Sequence, residues 1–377
     1  MFYKRSYQLI DSHMHICGYN GGNLPELLHG THAIKERAGL AAASVAALSG
    51  AGYNCANQNA LCILFKALYP ENYAYAGFDH FVAVIGSNRS PNGRAEQLKR
   101  FMEIGFDGIK IIDSKPTARK LIGHGLNAPE YKEFFAYLEK NSVPVLWHVA
   151  DPEEFWDVAQ CSQDVIDSGW CYADSSYLSK EALMGEAQEV LEAFPKLNVV
   201  FAHLYFMSAD ILAADAFMQR FPNVKLDVTP GIEMYYNFAK RPMEWKEFFI
   251  KYSGRILLGS DNGWGDEDSP AQKVAEGCRH IMFLDAFFST DNIVTTWDGI
   301  PIKGIALPER VQEAMYCRNF MEMQGGRPPK AVNTKLAVEY VKDLIGGMHK
   351  FGSIPDETLR QTEQALQMLK ELQRHLI

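Results

Sequence analysis

Several features are missing from this 377-residue sequence, and their absence narrows the class of protein. No apolar run reaches the roughly 18 residues of a membrane span, and the N-terminus lacks the apolar stretch of a secretory signal. There is no basic run, and 37 Lys and Arg face 46 Asp and Glu, a formal charge of -9. We therefore expect neither a membrane nor a nucleic-acid partner.

Cysteine patterns and nucleotide-binding motifs are also lacking. The seven cysteines are scattered without a Cys-x-x-Cys pair, which predicts reduced thiols and a cytoplasmic protein. No Gly-x-Gly-x-x-Gly follows the first strand, and neither a P-loop nor a Gly-x-Ser-x-Gly elbow occurs. These absences argue against a dinucleotide-binding fold, a P-loop enzyme and a serine hydrolase.

What the sequence does contain is an eightfold alternation of strand-like and helix-like segments. The expected strands cover residues 7–10, 41–48, 73–78, 106–112, 143–148, 199–203, 224–229 and 256–260. Runs such as 108–112 and 255–259 are continuously apolar, as in parallel strands buried on both faces. We predict a (β/α)₈ barrel, an open doubly wound sheet being the alternative.

The predicted chain divides near Met323. Residues 1–323 would form the barrel, and residues 324–377 a C-terminal helical extension. The last helix carries leucines at near-helical spacing, so it would pack on the barrel or at a subunit interface, as in a homodimer.

Histidines mark the ends of the predicted strands. His13 and His15 are two apart, so in an extended strand both point to the same side. Lys110, His148, His203 and Asp261 lie on or end strands four, five, six and eight. Any one of them could be a structural histidine or a helix cap, but active sites of such barrels lie at this rim, and the convergence predicts a divalent-metal site.

Four further residues follow strand ends and could bind substrate: His80, Asp151, Tyr205 and Trp264. Surface loops commonly carry such residues, so each could equally be an ordinary loop residue. The segment 151–177 is rich in aromatic and acidic residues and could form a lid.

At this point the sequence resembles a known family. The stretches Ile-Asp-Ser-His-Met-His, Gly-Phe-Asp-Gly-Ile-Lys-Ile, Val-Leu-Trp-His-Val, Val-Val-Phe-Ala-His and Ile-Leu-Leu-Gly-Ser-Asp are similar to the metal signature of the amidohydrolase superfamily. The details resemble its amidohydrolase-2 branch of metal-dependent decarboxylases, hydratases and lactone hydrolases. The resemblance extends from residue 7 to about residue 323.

The resemblance and the ligand chemistry imply roles for the rim residues. His13, His15, His148 and Asp261 would bind zinc or a similar divalent ion, one ion being favoured. Asp261 would also accept the proton of a metal-activated water, and His203 would polarise the substrate or, with His148, serve a second ion.

The chemical state of Lys110 distinguishes a centre with one ion from a centre with two. It could be carbamylated and bridge two ions, remain an ammonium that holds a substrate carboxylate, or be a structural amine near Asp107 or Asp113.

We expect a metal-dependent hydrolase that attacks an amide, ester or lactone bond of a small carboxylated substrate. A decarboxylase or hydratase of the same branch is an alternative, and an inactive ligand-binding barrel is another.

Overall fold

Eight parallel strands lie side by side in the order in which they follow along the chain. The computed structural model describes residues 6–16, 23–50, 56–80, 93–231, 233–263, 269–351 and 354–375. The strands are β1 (Ile10–Met14), β2 (Ala42–Ala46), β3 (Tyr73–Ala76), β4 (Gly108–Ser114), β5 (Val145–Val149), β6 (Val199–Phe201), β7 (Lys225–Asp227) and β8 (Ile256–Leu257).

Backbone hydrogen bonds close the sheet between its first and last strands. Ser12 N–H donates to Leu258 O at 3.0 Å, and Asp261 N–H donates to His13 O at 2.9 Å. These bonds join β1 to the segment after β8, so the sheet is a nearly closed barrel. The predicted (β/α)₈ fold is confirmed.

Two apolar layers explain why these strands are buried on both faces. Inward-facing side chains such as Leu146, Val200 and Leu257 fill the barrel, and Phe320 and Met323 pack with them. Outward-facing residues of the same strands join the larger core beneath the helices. A barrel interior filled with side chains is a packed core, which leaves the strand ends as the place for a site.

Helices cover the outside of the barrel. They are Leu24–Arg37, Gln58–Leu68, Gly93–Ile104, Pro116–Ile122, Lys132–Lys140, Gln163–Asp167, Lys180–Ala193, Ile211–Arg220, Met234–Lys240, Pro242–Lys251, Pro270–Ser289, Glu309–Glu313, Asn319–Met323, Thr334–Phe351 and Asp356–His375.

Three local features differ from the sequence pattern, which predicts a loop over 18–30, one continuous helix over 308–323 and no strand after residue 260. The first helix begins at Leu24, inside a stretch expected to be a loop, because Pro25 suits a first helical turn and Leu24, Leu27 and Leu28 bury one face. A π-helical turn, Ala314–Arg318, interrupts the helix expected over 308–323. A short antiparallel hairpin, Ile293–Thr295 with Pro301–Lys303, was not expected.

The two C-terminal helices pack on the barrel's outer layer. Thr334–Phe351 and Asp356–His375 contact each other and the helix Gln58–Leu68. Tyr340 O–H donates to Asp79 Oδ2 at 2.6 Å, just past β3. The domain boundary at residue 323 and a subunit contact of this extension remain predictions.

Among the described residues, no helix is long and apolar enough to cross a membrane.

Candidate metal centre

His13 and His15 face one another across the open end of the barrel. His13 lies in β1 and His15 directly follows it, and their Nε2 atoms are 3.0 Å apart. Both side chains are buried. The i, i+2 spacing thus brings two ligand nitrogens together.

The partners of the other ring nitrogens determine where the protons lie. His15 Nδ1 is 2.6 Å from Ala46 O, and His13 Nδ1 is 2.9 Å from Asp227 Oδ2. A carbonyl and a carboxylate only accept hydrogen bonds, so each Nδ1 carries the proton. In the neutral rings, both Nε2 atoms therefore present bare lone pairs to each other.

Asp261 brings a third acceptor to the same point. Its Oδ1 is 3.0 Å from His15 Nε2 and 3.6 Å from His13 Nε2. Asp261 has a left-handed backbone, φ 57°, a conformation that residues other than glycine rarely adopt. The bond from its N–H to His13 O ties this strained turn to β1.

The donor atoms of His13, His15 and Asp261, here called the ligand group, lie within 4.8 Å of one another. Three electron pairs that converge in this way repel one another, and a cation placed among them relieves the repulsion. Two imidazole nitrogens and a carboxylate oxygen suit Zn²⁺ and similar divalent ions and leave coordination positions open. The residues thus fit the predicted metal.

The protonation states favour metal binding too. Burial lowers the pKa of His13 to about 3, so its ring is neutral at pH 7. Burial alone would raise the pKa of Asp261, but its close contacts with His15 and His13 hold that pKa well below its usual value. The group at neutral pH is thus two neutral imidazoles and a carboxylate.

Lys110 provides a positive charge at the same place. Its buried Nζ is 2.9 Å from His13 Nε2. Burial lowers the pKa of Lys110 to about 8, with Asp261 and Asp227 opposing that shift. Asp107 instead pairs with Lys66, and Asp113 with His80. Lys110 thus belongs to the centre.

His203 lies beside the ligand group on an unusual turn. Four successive residues after β6, His203 to Phe206, have φ between 50° and 56°. The His203 ring centroid is 5.7 Å from that of His13, and His203 Nδ1 is 3.2 Å from Thr229 O. Since that carbonyl accepts the Nδ1 proton, the neutral ring keeps a bare Nε2 for a proton or an ion.

His148 belongs to a second cluster at the end of β5. Its Nε2 is 3.1 Å from Asp151 Oδ1, and the same carboxylate accepts hydrogen bonds from Lys115 at 2.7 Å and Tyr172 at 2.6 Å. We call these four residues the Asp151 cluster. Because His148 Nε2 donates there, only Nδ1 is left to bind a metal, so its role as a ligand stays a prediction.

Charges within the Asp151 cluster compensate one another. Burial would raise the pKa of Asp151, but Lys115 and the His148 hydrogen bond outweigh it and bring it to about 2. Burial lowers the pKa of His148 to about 3. The cluster therefore holds a neutral histidine and a lysine–carboxylate pair.

The structure places His80 and Tyr205, two further residues predicted to bind substrate, apart from the ligand group. His80 is held at both ring nitrogens, by Asp113 at 2.7 Å and Arg94 at 3.1 Å. Tyr205 is buried between β6 and the helices, and its O–H donates to Met184 O at 3.1 Å. Trp264 lies outside the described residues.

Two residues of the centre escaped sequence reasoning. Asp227, which supports His13, ends β7 in Lys-Leu-Asp-Val-Thr, where its position at a strand end was the available signal. Gly259 follows β8, where an added Cβ would lie 2.5 Å from Thr229 Oγ1 and 2.7 Å from His13 Cβ. A glycine lets β8 approach the ligand strand this closely.

The sequence model of the amidohydrolase family, Amidohydro_2, matches residues 10–319. The chain belongs to the amidohydrolase family. Its members are typically metal-dependent, in agreement with the ligand group, and this membership identifies the chain as an enzyme of that type. No curated protein matches the chain.

Solved structures are similar to this amidohydrolase at low sequence identity. An uncharacterized TIM-barrel protein from Bordetella bronchiseptica is 12% identical, with a TM-score of 0.51, over 85% of this chain and 100% of its own. A 2,6-dihydroxybenzoate decarboxylase bound to 2,6-dihydroxybenzoate is 13% identical, with a TM-score of 0.48, over 85% and 99%. An IDCase from Metarhizium anisopliae is 10% identical, with a TM-score of 0.48, over 84% and 97%.

Proposed function

We propose that this amidohydrolase is a metal-dependent hydrolase that uses a water molecule to cleave an amide, ester or lactone bond of a small carboxylated substrate. The observation that carries the proposal is the convergence of three bare acceptors, His13 Nε2, His15 Nε2 and Asp261 Oδ1, within 3.6 Å of one another. Such a group binds a divalent ion, with zinc the best match to its ligands.

When bound, the ion supplies Lewis acidity that brings the pKa of water to roughly 7. Asp261 is suited to accept the proton of that water, because its carboxylate is ionised and a third of its side chain, 34%, is exposed to the mouth. His203 has its Nδ1 proton on Thr229 O, so its Nε2 can exchange a proton with the leaving group.

Lys110 supports a carboxylated substrate. A cation held by the ligand group would compete with the Lys110 ammonium for His13 Nε2, and the displaced ammonium could then bind a substrate carboxylate. This arrangement uses one ion. A carbamylated Lys110 with two ions is the alternative, and side-chain density at Lys110 in a metal-bound crystal structure distinguishes the two.

The test begins with the purified chain. Elemental analysis measures bound metal, and the metal-free and metal-restored forms are assayed on a panel of carboxylated amides, esters and lactones. We expect hydrolysis that chelation abolishes and divalent metal restores, and His13→Ala should lose both metal and activity.

Other outcomes overturn the proposal in recognisable ways. Release of CO₂ from a carboxylated substrate without uptake of water would make the chain a decarboxylase with the same centre. Tight ligand binding without turnover across the panel would make it a binding barrel. If the purified wild-type protein carried no metal and had the same activity as His13→Ala, the proposal of a metal centre would be wrong.

A further inference from the structure

Asp227 joins two parts of the metal centre through its two carboxylate oxygens. Its Oδ2 is 2.9 Å from His13 Nδ1. Its Oδ1 accepts the backbone N–H of His203 at 2.8 Å and of Thr229 at 3.1 Å. The side chain is fully buried, so these contacts are protected from water.

The Oδ2 contact selects one tautomer of His13. The two backbone N–H groups that donate to Oδ1 show that the Asp227 side chain acts as an acceptor, and Oδ2 accepts from His13 Nδ1 in the same way. The His13 proton is then held on Nδ1, and Nε2 faces His15 and Asp261 without a proton. His15 obtains the same arrangement from a backbone carbonyl, Ala46 O.

The Oδ1 contacts support the turn that carries His203. His203 is the first of the four left-handed residues, and its N–H points to Asp227. A strained backbone persists only where the surroundings hold it in place. One carboxylate therefore orients the ring of a ligand and anchors the turn of a candidate acid–base residue.

We propose that Asp227 is a positioning residue of the metal centre, which keeps the proton of His13 on Nδ1 and holds the turn that presents His203. The proposal rests on the proposed function only in that the oriented nitrogen binds a metal. The tautomer itself is a property of the metal-free chain.

Asp227→Asn separates the two contacts. An amide can keep its oxygen toward the two backbone N–H groups, which fixes its NH₂ group toward His13. Since that NH₂ group only donates, it disfavours a proton on His13 Nδ1, and the Thr229 hydroxyl, 3.1 Å from Nδ1, can turn to donate as well. We therefore expect the proton to move to Nε2. The turn is retained while the ligand nitrogen is blocked.

The first readout is ¹⁵N NMR of the imidazole rings in metal-free protein, with the His13 signal assigned by its loss in His13→Gln. We expect wild-type His13 and His15 to carry their protons on Nδ1. In Asp227→Asn the His13 proton should move to Nε2, whereas His15 should not change. The affinity for Zn²⁺, measured by competition with a chelator, should fall about 10–100-fold.

Asp210→Asn is the matched control. Asp210 Oδ1 also accepts two backbone N–H groups, from Leu212 and Ala213, but it caps an outer helix and touches no histidine. Its variant should keep the His13 tautomer and the zinc affinity of wild type.

Two results would overturn the inference. The first is a wild-type His13 that carries its proton on Nε2. Because this result needs no variant, it overturns the inference even if Asp227→Asn fails to fold. A folded Asp227→Asn with the wild-type tautomer and zinc affinity would do the same. If wild-type protein bound no divalent ion but showed the expected tautomer, the proposed function would fail while the orienting role of Asp227 stood.

Discussion

On one side of the barrel mouth, His13, His15 and Asp261 bring together three acceptors, of which His13 Nε2 is met by the Lys110 ammonium. On the other side, His148 and Asp151 meet Lys115 and Tyr172, and every charge has its partner within 3.1 Å. Both sides use histidine and aspartate at strand ends. The difference lies in compensation, since one cluster is complete as it stands and the other requires an ion.

The largest effect that this comparison predicts is a difference in zinc affinity between variants of the two sides. His15→Ala removes a convergent ligand and should weaken zinc binding by more than about 100-fold, whereas His148→Ala should cost about 10-fold, as an outer residue would. Chelator competition measures both, with the exposed His124→Ala as control. Equal losses would mean that His148 Nδ1 reaches the ion and that the two sides form one site.

A second prediction concerns stability on the compensated side. Lys115→Met leaves the Asp151 carboxylate buried without its cation and should lower the free energy of unfolding by about 3–5 kcal/mol. Urea denaturation of metal-free protein measures the change, and adding Asp151→Asn should recover much of it. Lys120→Met replaces an exposed lysine of the same segment and should lower the free energy of unfolding by less than about 1 kcal/mol. A similar cost for both lysines would contradict the buried pair.

A third, smaller effect is a pH dependence shared by both sides. Unfolded histidines bind protons below about pH 6.5, but folded His13 and His148 stay neutral down to about pH 3. The unfolded state therefore gains more protons as the pH falls, and stability should decrease by about 1 kcal/mol per histidine between pH 7.5 and 5.5.

Urea denaturation of metal-free protein across this range tests that sign. Asp11 opposes the histidines, because burial raises its folded pKa to about 7 and the folded protein therefore takes up a proton over the same range. The informative quantity is therefore the difference between variant and wild type, and His148→Asn should lose about 1 kcal/mol of the histidine-dependent loss of stability. A His148→Asn slope equal to that of wild type would mean that His148 titrates in the folded protein much as it does when unfolded.

The smallest expected effect comes from Tyr172→Phe. This change removes one hydrogen bond to Asp151 but leaves Lys115 in place, so it should lower the free energy of unfolding by about 1 kcal/mol. Limited proteolysis of the segment 152–179 reports the local loosening. Cleavage at the wild-type rate, with unchanged stability, would mean that this hydroxyl does not hold the segment to the rim.

The barrel could be predicted from the sequence because its signal is local and repeated. Largely apolar runs such as 108–112, interrupted only by Lys110, favour strands buried on both faces, and their alternation with helices leaves few topologies. The first helix was harder, since Gly30 and Thr31 weaken its pattern while buried Leu27 and Leu28 stabilise it.

The candidate centre was predictable where ligand type and strand position coincide. His13 and His15 have a spacing that alone places them on one side, and Asp261 ends a strand. The role of Asp227 was not predictable, because a single aspartate in a strand has no local pattern that distinguishes it. Its role depends on β7 lying behind His13, which is a matter of register between distant strands.

The sequence by itself determined the eightfold alternation, the family and the set of residues at the strand ends, because these follow from patterns within a few residues. Only the tertiary structure decided which of those residues are compensated and which are not. Proton positions on the histidines are set by their hydrogen-bond partners. For His15 and His13 these are Ala46 O and Asp227, which lie on other strands. For His148 the partner is Asp151, which the left-handed backbone at Ala150, φ 62°, turns back toward the ring. Hydrogen-bond partners are chosen by distance in space, and that distance exists only once the barrel has closed.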